Sequence, residues 1–259
     1  MNFLERMLAE KRAEVAKAKM ALPLSAIKEQ SASVKVERSF LGVLRAAPFS
    51  LIAEVKKASP SKGILVKEFH PDELAEEFEQ GGATALSVLT DASFFLGAKE
   101  FVRLAKRRTK LPALRKDFII DEYQIYESLV LGADAILLIV RILSARQLEN
   151  FSFLASSLGL DVLVEAHSEA EVEAANAIQA NIIGVNNRDL ETFEVSLDHS
   201  IALRPAIHPG AYTISESGIQ SADDIARLRN AGFHGVLVGE GVAARPDRIA
   251  AIHELIRTG

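Results

Sequence analysis

From residue 51 onward the sequence repeats one rhythm, a short apolar run, a polar loop, then a stretch of helical spacing that ends near Gly or Ala. The runs are Leu51–Lys56, Ala85–Leu89, Ala113–Lys116, Ala135–Val140, Val162–Glu165, Ile182–Asn186, Tyr212–Glu216 and Gly235–Gly239. Helical patterns begin near Pro71, Ala98, Asp121, Ser144, Ser168, Ser196, Ser221 and Pro246. Several open with a capping oxygen ahead of acidic or amide residues, as in Asp121-Glu-Tyr-Gln, Ser168-Glu-Ala-Glu and Ser221-Ala-Asp-Asp. Three units enter their run alike, through Gly81-Gly-Ala-Thr, Gly132-Ala-Asp and Ala231-Gly-Phe-His, which suits a repeating βα array. Strands alternating with helices imply a parallel sheet joined by right-handed crossovers. Strands apolar on both faces, in a set of eight, favour closure, so the pattern predicts the α/β class and a single (β/α)8 TIM barrel. The competing architecture is an open doubly wound sheet, and the first run is not followed by the Gly-x-Gly-x-x-Gly turn of its dinucleotide-binding members.

Ahead of the barrel, Phe3, Leu4, Met7, Leu8 and Val15 share one helical face, opposite Glu5, Arg6, Glu10, Lys11 and Arg12. Leu22–Phe49 reads as a less regular connection with a short helix near Ser39–Arg45. We expect residues 1–49 to be a helical extension packed on the bottom or rim of a single domain spanning 1–259. A net charge of −5 leaves no basic face for nucleic acid, although a local pocket for a small anion is compatible with it. The chain has no cysteine, which excludes disulfides, thiolate catalysis and cysteine metal sites. Its opening alternates charged and apolar residues, unlike a signal peptide, and no apolar run approaches membrane-spanning length. The expectation is a cytoplasmic protein without membrane contact.

Strand ends carry the polar chemistry: Glu54 and Lys56, Thr90 and Asp91, Lys116, Arg141, Glu165, Asn186 and Arg188, Glu216 and Ser217, then Glu240. Strand beginnings are apolar or small. A barrel of this kind builds its site from those C-terminal ends and the loops that follow. Glu54 and Lys56 share one strand face, and Ser59-Pro60-Ser61-Lys62-Gly63 continues with hydroxyls, a cation and a glycine suited to an anion. Lys116 emerges beside Phe118, and a lysine in a desolvated mouth is expected to release its proton more easily. Glu165, among apolar neighbours, is expected to have a raised pKa. Ser215-Glu-Ser-Gly218 and Val238-Gly239-Glu-Gly241 end runs seven and eight, where such barrels hold phosphate on backbone N–H groups. The six histidines show no paired metal-ligand spacing, so they read as loop or helix residues and no metal is expected.

These stretches resemble indole-3-glycerol phosphate synthase, a family of the tryptophan pathway. The resemblance is carried by Ile52-Ala-Glu-Val-Lys-Lys-Ala-Ser-Pro-Ser-Lys-Gly63, Ser87-Val-Leu-Thr-Asp91 with Phe94-Phe95, Leu114-Arg-Lys-Asp-Phe118, Leu137-Leu-Ile-Val140, Val164-Glu-Ala-His167, Gly184-Val-Asn-Asn-Arg-Asp-Leu190, Ile214-Ser-Glu-Ser-Gly-Ile219 and Leu237-Val-Gly-Glu240. It implies ring closure of 1-(2-carboxyphenylamino)-1-deoxyribulose 5-phosphate to indole-3-glycerol phosphate, with loss of carbon dioxide and water and without a cofactor. By the same resemblance Lys116 is the general acid, Glu165 the dehydration group, Lys56 a carboxylate-steering cation, and Glu54 and Asn186 their supports. Which lysine acts at which step stays open. Ser59, Gly218, Gly239 and the Glu240 backbone would hold the phosphate, with Arg188, Glu216 and Ser217 completing the mouth. Phe95, Phe118, Leu137, Leu190 and Leu237 are candidates for an apolar slot around the aromatic ring, or plain core. The partner implied is a small phosphosugar, and the expected assembly a monomer or weak homodimer.

The sequence departs from the family pattern at Gly241, where a serine is usual, and at Leu96-Gly-Ala98, where the turn is usually more polar. Two other readings compete. An aminosugar isomerase barrel calls for a Cys or an Asp pair, which the missing cysteine and the two lysines disfavour. A non-catalytic phosphate-binding protein has no need of paired Glu and Lys at strand ends.

Overall fold

In a computed structural model, residues 3–189, 192 and 194–257 are described. Eight parallel strands close into a barrel: β1 (Ser50–Val55), β2 (Ala85–Leu89), β3 (Ala113–Lys116), β4 (Ala135–Ile139), β5 (Asp161–Ala166), β6 (Ile182–Asn186), β7 (Tyr212–Glu216) and β8 (Gly235–Val238). Each pairs with its neighbours in sequence, and β8 returns to β1 with Leu51 opposite Val236 and Ile52 opposite Leu237. Every expected run coincides with a strand to within one residue at either end.

Period-two alternation divides the apolar residues between two cores. On β1, Leu51, Ala53 and Val55 face outward and join Phe78, Val102, Ile125 and Leu228 in the layer beneath the helices. Ile52 faces inward with Leu114, Leu137, Leu163, Ile214 and Leu237. The repeated entry into the strands also has a cause. Gly82, Gly132 and Gly232 follow helix ends at φ of 91°, 83° and 91°, the left-handed conformation that lets a chain leave a helix and turn back toward the barrel.

The N-terminal segment forms helices α1 (Phe3–Ala21), α2 (Leu24–Ala32) and α3 (Phe40–Ala46). Helix α2 was not legible in the irregular connection. It begins after Pro23 without a side-chain cap and buries only Ile27 and Ser31, so its stability comes from packing rather than local signals. The extension meets both ends of the barrel. Phe40 and Leu44 of α3 plug the bottom, where they join Ile52, Ala85, Ala135, Ile182 and Tyr212, and the Tyr212 hydroxyl donates to the Leu44 carbonyl at 2.8 Å. Asp161 makes one strand start polar after all, because its carboxylate accepts the Leu41 N–H at 2.9 Å. Helix α1 instead reaches the opposite rim through Lys11, which is paired with Asp91 and Asp117, the residues just beyond β2 and β3.

Among the described residues no helix is long and apolar enough to cross a membrane. Phe40→Ala, which empties the plug at a fully buried position, is expected to lower unfolding free energy by about 3–5 kcal/mol. Equilibrium denaturant titration checks this, and a loss below about 1 kcal/mol would show that the plug contributes little.

Candidate active site

A cavity of about 520 Å³ opens at the C-terminal ends of the strands. Every residue given a role in the expected site, among those described, lines it, from Glu54, Lys56 and Ser59 on the β1 side to Gly239 and Glu240 on the β8 side, whereas the polar strand ends Thr90 and Arg141 do not. Leu190 lies outside the described residues. Leu4 and Met7 of α1 also line the cavity, as do Asp91, Asp117 and Ile219. The sequence placed the extension on the bottom or rim but gave no sign that Leu4 and Met7 of α1 reach the mouth.

At the centre stands Lys116. Its ammonium lies 3.1 Å from Glu165 Oε2 and 2.9 Å from Glu216 Oε2. Strand β3 aims Lys116 inward while Arg115 points out, fully buried against Asp117 at 3.0 Å and Glu127 at 2.9 Å. Burial by itself lowers the Lys116 pKa, but Glu165, Glu216 and Glu54 outweigh it and hold the pKa well above the ordinary lysine value. The expectation of an easily released proton is therefore corrected, because a desolvated ammonium among carboxylates is stabilised in its charged form. A second correction concerns Glu165. Burial pushes its pKa up, yet Lys116 and His167 more than reverse this and Asn186 adds a hydrogen bond, so it lies below the ordinary range. The carboxyl that holds its proton near neutrality is Glu216, raised to about 7 by burial and by the charge of Glu165, against the pull of Lys116. Sequence could not separate the two glutamates near the ends of β5 and β7, since the distinction depends on which one His167 and Asn186 support.

The second cation belongs to β1, where Lys56 and Glu54 form an ion pair at 2.5 Å. Gly239 passes so close that a Cβ there would strike both the Glu54 carboxylate and the Lys56 ammonium. Next to it the Ser59 hydroxyl is buried and has no hydrogen-bond partner among the described residues. Ser217 and Gly218 follow one another at φ of 68° and 86°. Left-handed backbone at a serine costs about 1–3 kcal/mol and is kept where the surrounding structure enforces it. At the same end, Glu240 lies 3.4 Å from Arg188 and 3.2 Å from Lys62. Burial raises its pKa, but Lys56, Arg188 and Lys62 bring it below the usual value. These cations, an unpartnered hydroxyl and close-approach glycines suit an anion at the β1, β7 and β8 end.

On the other side Phe95 and Phe118 stand with ring centroids 6.2 Å apart, near Leu137 and Leu237. Leu137 and Leu237 are both cavity wall and barrel core, so the two readings of them hold together. At Gly241 a Cβ would approach the Ile219 carbonyl to 2.8 Å, so the serine usual there has no room without a backbone shift.

The sequence pattern of indole-3-glycerol phosphate synthase matches residues 4–255. The chain belongs to that family. Relatives bearing the same name include one from Chlorobium luteolum, 50% identical over 93% of this chain and 93% of its own length. Another, from Laribacter hongkongensis, is 44% identical over 98% of each. Among solved structures, a mutant tryptophan synthase α-subunit from Pyrococcus furiosus superposes with a TM-score of 0.61 at 15% identity, covering 80% of this chain and 97% of that one. That likeness shows the shared barrel. The family match covers the helical extension as well as the strands.

Because Glu216 binds its proton more tightly folded than unfolded, its contribution to stability is present below about pH 4.5 and is lost as pH rises through about 7. Glu216→Gln should remove that decline. Relative to wild type, the variant should gain ~1 kcal/mol or more between about pH 5 and about pH 8. Urea unfolding at both pH values tests it, and parallel curves would show that Glu216 is ordinarily ionised.

Proposed function

We propose that this chain closes the indole ring of 1-(2-carboxyphenylamino)-1-deoxyribulose 5-phosphate, using Lys116 and Glu165 as its proton-transferring groups. The observation that carries this reading is the Lys116 ammonium, held between Glu165 and Glu216 inside a cavity whose far end suits a phosphate.

The substrate brings a carboxylate, an aromatic ring, a ketone and a phosphate. Its phosphate fits the end lined by Ser59, Gly218, Gly239, the Glu240 backbone and Arg188, and its ring fits against Phe95, Phe118, Leu137 and Leu237. The ring carbon bearing the carboxylate attacks the ketone carbon, and the electron pair of the carbonyl moves onto oxygen. Lys116 stabilises that charge and gives it a proton. A high pKa does not forbid this, since an alkoxide is a stronger base than the amine. Carbon dioxide then leaves, and its bonding electrons restore the aromatic ring. Once Lys116 has given up its proton, the charge that most holds Glu165 ionised is gone, so Glu165 can carry a proton to the departing hydroxyl, which leaves as water. The proton lost from the neighbouring ring carbon returns to the Lys116 amine and completes the indole. Lys56 steers the substrate carboxylate, while Glu54 and Asn186 hold the charged groups in register. Glu216, the proton-holding member of the pair, keeps the Lys116 pocket from carrying one negative charge too many.

The same reading makes 1–259 one domain with the extension as its covering helices, acting in the cytoplasm as a monomer or weak homodimer. Incubation of the purified protein with the anilino sugar phosphate, without added metal or cofactor, should generate indole fluorescence. Lys116→Ala should abolish turnover while changing substrate affinity by less than about tenfold, or roughly 1.4 kcal/mol; a fully active variant would overturn the assignment. Glu165→Gln should lower kcat by ~100-fold or more, and unchanged steady-state kinetics would remove Glu165 from the mechanism.

A further inference from the structure

One buried titratable ring next to the reacting carboxylate has no part in the steps above. His167 follows β5 and is 6% exposed. Its Nε2 lies 3.5 Å from Glu165 Oε1 and its Nδ1 3.4 Å from Glu171 Oε2. Among the described residues neither nitrogen makes a well-directed hydrogen bond. Glu171 is fixed in place by the Arg141 guanidinium at 2.9 Å and the His167 backbone N–H at 2.8 Å. Although burial opposes it, the nearby His167 ring, the Arg141 guanidinium and the His167 backbone N–H bring the Glu171 pKa down to about 2, so this carboxylate stays ionised. The groups facing the ring are thus Glu165 and Glu171, with Lys116 behind the first and Arg141 behind the second. His199 reaches the His167 carbonyl at 2.9 Å rather than the ring. An imidazolium at this position would have an acceptor opposite each N–H.

The reaction makes a demand that such a ring can meet. The substrate's carboxylate enters with a negative charge and leaves as neutral carbon dioxide. Two protons go to the oxygen that departs as water and one comes back from the ring carbon, so each turnover takes up one proton. Leu4, Met7 and the residues 59–62 loop line the same cavity.

We propose that His167 is a proton reservoir for Glu165, loaded as imidazolium before the substrate is enclosed. The Nε2–H bond of His167 breaks, its pair stays on the ring, and the proton passes to the ionised Glu165, which hands it to the departing hydroxyl as the C–O bond breaks with its electron pair leaving on water. The ring is left neutral, with its Nδ1–H directed at Glu171. After product release, water in the open mouth reloads the pair through Glu165. His167 acts through Glu165 and is a supporting residue, so the proposal rests on the role given to Glu165 above.

Steady-state kinetics of wild type and His167→Asn between about pH 6 and about pH 9 test it. Wild-type kcat should fall as pH rises through the range in which imidazolium loses its proton. The variant's kcat should be about tenfold lower at the acid end, with KM within about twofold, and should approach wild type at the alkaline end. A variant with wild-type kcat and the same alkaline decline would overturn the reservoir. If the asparagine variant does not fold, His167→Gln is judged by the same criteria. Nitrogen NMR of the native, ligand-free enzyme gives a readout free of any substitution, in which a His167 ring that stays neutral down to about pH 6 also overturns it. A wild-type rate in Glu165→Gln removes the underlying assignment, whereas an inactive Glu165→Gln beside an unaffected His167→Asn removes the reservoir alone.

Discussion

A single ammonium set among carboxylates inside the barrel governs the rest of the site. Lys116 is nearly enclosed, and Glu165 and Glu216 both lie within about 3 Å of it. Desolvating ions costs several kcal/mol each, and the arrangement is tolerable only if charges nearly cancel. Two carboxylates and one lysine do not cancel, so the group raises the pKa of Glu216 until it holds a proton near neutrality. That adjustment supplies what acid–base chemistry requires, neighbouring groups whose proton affinities have been driven apart. Gly184 makes room for it, since a side chain there would run into the Glu216 carboxylate.

The geometry of Lys116 depends in turn on a second ionic cluster on the other face of the same strand. Arg115 is fully buried, held by Asp117 and Glu127, while the Thr90 hydroxyl donates to Asp117 at 2.6 Å. Lys11 joins from α1, 2.8 Å from both Asp91 and Asp117. In this way the helix covering the mouth is tied to the residues that flank the reacting lysine. Such clusters are weak contributors to net stability, since the desolvation of each ion offsets much of the attraction. Their effect is geometric: a buried charge whose partners are fixed has few alternative positions.

Much of the barrel could be read from sequence because its determinants are local. Apolar runs such as Ile182–Asn186 and Tyr212–Glu216, and caps such as Ser168 and Ser221, sit within a few residues of the structure they specify. The mouth was legible for a similar reason, since alternate residues at the end of a strand point together. What escaped was set by contacts distant in sequence. Lys11 looked like one of several solvated charges on an amphipathic helix, yet it is buried against residues some 80 to 106 positions away. Glu165 and Glu216 looked alike until their neighbours were known. Helix α2 has little amphipathic signal of its own, and it packs beside the helix Glu122–Val130, where Lys28 pairs with Glu122 at 3.2 Å.

The plug at the base has a consequence for how the chain is made. Phe40 and Leu44 are synthesised early, but the hydroxyl that fastens Leu44 belongs to Tyr212, 168 residues later. Until the second half emerges from the ribosome, these two side chains lack their final surroundings. Loop-closure entropy must be spent before such a distant contact repays it, so topology favours slow, late docking. Over that interval the exposed apolar pair is a target for chaperones and for other nascent chains, and the last strands to be translated end the exposure.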